Sequence, residues 1–176
     1  RGEALLGQAV EGRITASASL SDGKGQISLN AERTDGGPDG TIRLASGYDN
    51  GSRRLVLDLD AREGAGGLVA GLLNLPGQPS VALTVQGNGP LEDFSAILSL
   101  ATDGQERLNG LVVLKAVADE AGAPSGALGF SAELSGDPAP LFLPEYQEFF
   151  GNDVSLVAQG ERAASGRTDL SRLSVR

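Results

Sequence analysis

Apolar and polar residues alternate with a period of two over most of this chain. In the clearest run, residues 54–62, Leu55, Leu57 and Leu59 fall on one side, and Arg54, Asp58, Asp60 and Arg62 fall on the other. Successive side chains of an extended strand point to opposite faces, so this spacing predicts half-buried β-strands. Turn-forming Gly, Asp and Asn clusters separate such runs about every 10–15 residues, as in antiparallel sheets. The pattern predicts an all-β fold with one aliphatic and one polar sheet face.

Part of this pattern occurs twice. Residues 81–87 recur as residues 154–160, an offset of 73, and the same offset maps the apolar positions of 55–59 onto those of 128–132. Repeats of fixed period are typical of elongated architectures. We therefore predict one elongated β-segment over 1–176. It consists of two strand–helix–strand repeats, at about 53–118 and 126–176, preceded by strands within 10–48.

Each repeat contains a short apolar insert between its strands. In the first, Leu68, Leu72 and Leu75 have the i, i+4, i+7 spacing of a short amphipathic helix that ends before Pro76. In the second, a helix is predicted from 144 to 150, because proline suits a first helical position. Its segment carries four aromatic residues, Phe142, Tyr146, Phe149 and Phe150. They predict either a helix packed over the sheet, which we favour, or a lid at the mouth of a groove.

Two short helices cannot cover about ten strands, although an antiparallel sheet normally buries its apolar face under a second layer. The sheet therefore either closes into a sandwich or barrel, or curls into an elongated groove, β-taco-like in shape, whose apolar interior holds something else. We expect the groove. Its predicted lining residues are Ile14, Leu20, Ile27, Leu29, Ile42, Leu44, Leu55, Leu57, Leu59, Val81, Leu83, Val85, Phe94, Leu98, Leu100, Leu128, Phe130, Leu134, Val154 and Leu156.

The composition narrows the possible functions. The chain has neither His nor Cys, which excludes histidine- or cysteine-based catalysis, thiolate metal sites and disulfides. Its net charge of −9 disfavours nucleic acid and anionic membrane surfaces as partners. The longest apolar stretch falls far short of the ~20 residues that a membrane-spanning helix needs. We expect a protein that is not an enzyme, with no cofactor, no metal and no catalytic residue.

Carboxylates could still support hydrolysis or calcium binding, so they require a separate assessment. Asp58 and Asp60 alternate with leucines and therefore share the outer face with arginines, which favours surface pairing over a catalytic pair. Asp22, Asp35 and Asp39 lie among glycines, but their spacing fits no EF-hand or glycine–aspartate repeat. Hairpin turns account for them.

Several segments resemble one family of large bacterial proteins. Residues 136–151, GDPAPLFLPEYQEFFG, followed by 154–156, resemble sequence of the TamB-like proteins, and so do LDLDARE at 57–63 with GLVAGLL at 67–73. Residues 81–98 fit the same succession. The resemblance covers most of the chain from about residue 55 onward. These translocation and assembly module proteins belong with the AsmA-like periplasmic bridge proteins.

The resemblance implies a non-enzymatic β-groove in the periplasm of a Gram-negative bacterium, within a longer protein anchored in the inner membrane. Such proteins serve outer-membrane biogenesis, through phospholipid transport between membranes or the assembly of outer-membrane proteins and autotransporters. The implied partners are phospholipid acyl chains or nascent outer-membrane proteins. A TamA-like outer-membrane barrel would bind parts that this chain lacks. Since the chain begins with Arg1 and both ends resemble strand sequence, we expect an internal fragment. The alternative is an extracellular β-repeat adhesin or stalk module with a closed core.

Overall fold

The structure is a computed structural model that describes residues 10–118, 124–150 and 153–176. Ten strands account for most of it. They are β1 Gly12–Ser21, β2 Lys24–Arg33, β3 Gly40–Asp49, β4 Arg54–Glu63, β5 Val81–Pro90, β6 Asp93–Thr102, β7 Gln105–Ala118, β8 Pro124–Gly136, β9 Val154–Arg162 and β10 Thr168–Val175. The helical elements are α1 Leu68–Leu72, a 3-10 helix at Ala139–Leu141 and α2 Pro144–Gln147.

The strands form a single open sheet in chain order, from β1 at one edge to β10 at the other. Every neighbouring pair is antiparallel. Neighbouring strands lie about 4.8 Å apart, so the sheet extends roughly 43 Å from the first strand to the last. The prediction of an all-β, antiparallel and elongated sheet with two short helical inserts is confirmed.

The strand pairs that flank the two inserts share one register. Glu63 lies opposite Val81 in β4–β5, and Gly136 lies opposite Val154 in β8–β9, which is the same pair advanced by 73 residues. All nine residue pairs of β8–β9 are related in this way to pairs of β4–β5. Four strands, an even number, separate the two connections. In an antiparallel sheet, both inserts therefore leave at the same end of the strands. They are roughly 19 Å apart along it.

Large side chains are incompletely buried throughout the described residues. The buried apolar residues are Ala70, Val81, Phe94, Ala96, Ala127 and Val154, and none of the larger side chains is fully enclosed. Phe94 is only 5% exposed because its ring lies over Gly87, where a Cβ would overlap it. The ring of Phe130 lies over Gly160 in the same way, and Gly160 is Gly87 advanced by 73. At these two glycines the sheet shields an aromatic ring against its own surface.

The first insert differs from its prediction. Helix α1 ends at Leu72, so Leu75 lies outside it, and the buried residue is Ala70, while Leu72 is 58% exposed. The Glu63 carboxylate accepts hydrogen bonds from the backbone N–H groups of Leu68, Val69 and Ala70 and so fixes the start of the helix. The N–H of Leu75 then bonds to the carbonyl of Ala70, which closes the segment after one turn. A helix this short has no i, i+4, i+7 face to bury.

The second insert is also shorter than predicted. Helix α2 ends at Gln147, three residues before the predicted end at 150. Phe142 and Phe150 stack with ring centroids 4.2 Å apart, and Phe149 meets Phe150 edge-on at 5.3 Å. Phe149 is 81% exposed and Tyr146 is also exposed, so these two rings do not cover the sheet as the favoured interpretation expected.

Candidate functional site: an uncovered apolar face

Two rows of side chains cross the whole sheet on one face. Residues that lie directly opposite each other in a sheet point to the same side, so the strand registers define each row. We call them row A and row B. Row A contains Ala16, Leu29, Leu44, Leu59, Val85, Leu98, Gly110, Leu134, Leu156 and Val175, one residue from each strand and all of them apolar or glycine.

Row B runs beside row A on the same face. It contains Ala18, Ile27, Ser46, Leu57, Gly87, Ala96, Val112, Ala132, Ala158 and Leu173. Its one polar member is Ser46, and neither row contains a charge. We call the sheet surface that carries both rows the apolar face. It offers a hydrocarbon chain a continuous path roughly 43 Å long at right angles to the strands.

The structure places all twenty predicted lining residues on the apolar face. Nine of them belong to rows A and B. Four more, Ile14, Ile42, Leu83 and Leu100, form a third row beside row A. On the other side of row B lie Leu20, Leu55, Phe94, Phe130 and Leu128. Val81 and Val154 lie at the strand ends nearest the inserts.

Most of the apolar face has no covering layer among the described residues. Leu20 is 83% exposed and Ile14 is 71% exposed, while the row A residues of β2 to β6 are half-buried. The surface of β1 to β3 contains an apolar depression of about 330 Å³, lined among others by Leu20, Ile27 and Tyr48. Ordinary core leucines are enclosed on all sides. Here only the neighbouring strands shield them.

The predicted lining missed β7 and β10 entirely. In β7 the run of residues 111–114 is apolar throughout, so alternation cannot say which residues face which way, and the pairing of Val112 with Ala96 decides it. In β10 the register shifts between Leu170 and Arg172, and this bulge places Leu170 and Leu173 on one face despite their spacing of three. Only the paired neighbours supply this information.

The charged side chains on the apolar face lie at the strand ends. Thr102 is buried, and its hydroxyl accepts a hydrogen bond from Arg107 Nε at 2.8 Å. Arg107 is the extra residue of a bulge between β6 and β7, which swings its guanidinium onto Asp137, 3.3 Å away. These contacts join the turn after β6 to the start of the second insert. They lie at the margin of the face, and its two central rows carry no charge.

The acidic residues that could suggest chemistry have structural partners. Asp60 pairs with Arg62 at 2.9 Å along the same strand, and its hydrogen bonds raise the pKa of Arg62. Asp35 accepts hydrogen bonds from Arg33 and from the backbone of Gly37, which lower its pKa to about 2. Within the described residues, no group of three metal-binding side chains occurs.

Comparison with known proteins gives no assignment. No protein-family model, no curated protein and no solved structure matches this chain. Within the described part of the chain, none of the helices is long and apolar enough to cross a membrane.

Proposed function

We propose that the apolar face binds the acyl chains of phospholipids, as an internal segment of a TamB-like periplasmic bridge protein that serves outer-membrane biogenesis. The single observation that carries this proposal is the pair of uncharged rows that cross all ten strands without a covering layer among the described residues. Each buried methylene contributes about 0.8 kcal/mol. A hydrocarbon chain laid along the rows therefore gains binding energy from contact alone.

The chemistry of the face suits sliding better than fixed binding. Specific ligand pockets combine apolar walls with a few placed polar groups that fix orientation. Here the hydroxyl of Ser46 is the one polar side chain of the two rows, and the ion pairs lie at the strand ends. An acyl chain would find similar contacts at each successive strand, so no position would hold it much more strongly than the next. This is the behaviour expected of a conduit.

Native mass spectrometry of the gently purified protein tests the proposal. We expect bound phospholipid, and uptake of a fluorescent 18-carbon fatty acid after delipidation. Absence of both, with the sheet still folded by circular dichroism, would exclude acyl-chain binding.

The resemblance also implies a role with nascent outer-membrane proteins. If this protein binds unfolded outer-membrane barrel polypeptide at its apolar face, it should release the fatty-acid probe when that polypeptide is added. The alternative of an adhesin or stalk module requires a closed core, and no observation in the described residues favours it.

A further inference from the structure

The first insert, residues 64–80, stands on the side of the sheet that carries the apolar face. The strand register places Glu63 opposite Val81, so the side chains of both residues point to that face. The Glu63 carboxylate accepts hydrogen bonds from the backbone N–H groups of Leu68 and Val69 in the first turn of α1. The helix is therefore attached to the apolar side of the strand end.

The second insert starts on the same side. Thr102 lies opposite Val81 on the apolar face, and its hydroxyl accepts a hydrogen bond from Arg107. The guanidinium of Arg107 also pairs with Asp137, the first residue of the second insert, at 3.3 Å. Each insert is thus held by a polar contact at the apolar margin, and both lie at the same end of the strands.

The burial of two valines agrees with this placement. Val81 and Val154 are buried, and they are the same position of the repeat, advanced by 73 residues. Each of them directly follows one insert along the chain, whereas Ile27, which lies far from both inserts in row B, is exposed. The inserts therefore cover the margin of the apolar face next to them. Rows A and B lie beyond this covered margin.

Both inserts carry large apolar side chains that remain exposed. Leu73 is exposed in the first insert, and residues 64–80 include no charged residue. In the second insert, Phe149 is exposed and meets Phe150 edge-on, while Phe150 stacks on Phe142. Exposed apolar clusters mark contacts with an apolar partner. Beside the apolar face, the partner that fits this position is a hydrocarbon chain lying on that face.

The spacing of the inserts is close to the length of a lipid tail. The inserts are roughly 19 Å apart along the sheet. Two opposed tails fill the ~30 Å hydrocarbon core of a bilayer, so one tail is about 15 Å long. A tail that slides along the rows would therefore lie near one of the inserts over most of its path.

We propose that the two inserts cover acyl chains bound on the apolar face, with Leu73 and Phe149 in contact with the hydrocarbon on the side that faces away from the sheet. The inference rests on the proposed function and extends it. The sheet supplies the inner surface of the path, and the inserts supply part of its outer surface. Each methylene that an insert shields from water strengthens binding about fourfold.

Tryptophan reporters test this contact, since the chain has no tryptophan of its own. Leu73→Trp and Phe149→Trp place one reporter on each insert. Ile27→Trp reports on row B, and Ile97→Trp is its matched control on the opposite face, because the two isoleucines are 54% and 58% exposed. The quencher is an 18-carbon fatty acid with bromine at mid-chain, which quenches tryptophan only near contact. At saturation, the loss of fluorescence at residues 73 and 149 should be comparable with that at residue 27, with no loss at residue 97.

The outcomes separate the covering role of the inserts from the proposed function. Quenching at residue 27 without quenching at residues 73 and 149 would leave acyl-chain binding intact and overturn the covering role. No quenching at residue 27 in a folded protein would overturn both. Equal quenching at residue 97 would indicate unspecific adsorption and would also overturn both.

Affinity provides a second measurement of the covering role. The double variant Leu73→Ser with Phe149→Ser removes one exposed apolar side chain from each insert, so folding should be unaffected. If one methylene of the ligand returns to water, the affinity for the fluorescent 18-carbon fatty acid falls about fourfold. Ile97→Ser removes an exposed apolar side chain from the opposite face and should leave the affinity unchanged. Unchanged affinity in the double variant would overturn the covering role.

Discussion

A charge placed in row B should reduce acyl-chain binding, whereas a change at the next residue should not. Leu57 is a half-buried member of row B between Ser46 and Gly87, and Asp58 is exposed on the opposite face. We compare Leu57→Asp with Asp58→Leu. The two variants alter neighbouring positions of one strand, so they share the same local backbone. They differ in the face that is changed.

The expected magnitude follows from the contact that is lost. If a leucine in the row shields about two methylenes of a bound chain, its loss costs about 1.6 kcal/mol. This corresponds to a decrease in affinity of about tenfold or more. A carboxylate that must lose water beside hydrocarbon adds to that cost. The free energy of unfolding should fall by less, about 1 kcal/mol. Full burial of a leucine contributes about 1.5–3 kcal/mol, and Leu57 is only half-buried.

Titration of the fluorescent 18-carbon fatty acid into each variant measures the affinity, and thermal unfolding measures the stability. We expect the wild-type protein and Asp58→Leu to bind the probe equally. If Leu57→Asp fails to fold, Leu57→Ser removes the same contact without a charge and should still weaken binding severalfold. Equal losses in the variants of residues 57 and 58, or full binding by a folded Leu57→Asp, would refute the assignment of the faces.

Three further predictions concern the construction of the sheet. Gly110→Ala should lower the free energy of unfolding by about 1–3 kcal/mol in denaturant titrations, because its Cβ would overlap the backbone of β8, whereas Gly47→Ala, whose Cβ has space, should be tolerated. Glu63→Gln should speed hydrogen exchange of the α1 backbone amides, since a charged acceptor for three N–H groups is lost; unchanged exchange would contradict this role. The folded pKa of Asp35 is lowered to about 2, mainly by its hydrogen bond from Arg33, so its stabilisation is present above the ordinary pKa of 3.8 and disappears as the pH falls towards 2. The stability difference between wild type and Asp35→Asn should therefore shrink as the pH falls from 5 through 2, and a difference that stays constant over that range would argue against the pair.

The strands themselves were predictable because their signals are local. The twenty residues that alternation placed together, from Ile14 to Leu156, do lie on one face of the sheet. A period-two pattern needs only the strand geometry of successive residues. Glycine, aspartate and asparagine marked the turns between strands for the same reason.

The inserts and bulges were less accessible, because their determinants are distant in the sequence. The Glu63 side chain caps α1 from the preceding strand, at a separation of five to seven residues. The register shift that brings Arg107 within reach of Asp137 depends on two strands and the following loop. No periodicity in the sequence reports such contacts. The helices were therefore predicted too long, and the faces of residues 111–114 were not predicted.

The sequence alone determined that this chain forms antiparallel strands with one aliphatic face, that a strand–insert–strand unit recurs after 73 residues, and that histidine and cysteine chemistry is absent. Only the tertiary structure decided that the described strands form one open sheet with continuous rows and no layer above them. Alternation reports which way a side chain points along its own strand. Whether that side chain meets another layer or an open surface depends on how ten strands pair, which is a property of the whole sheet.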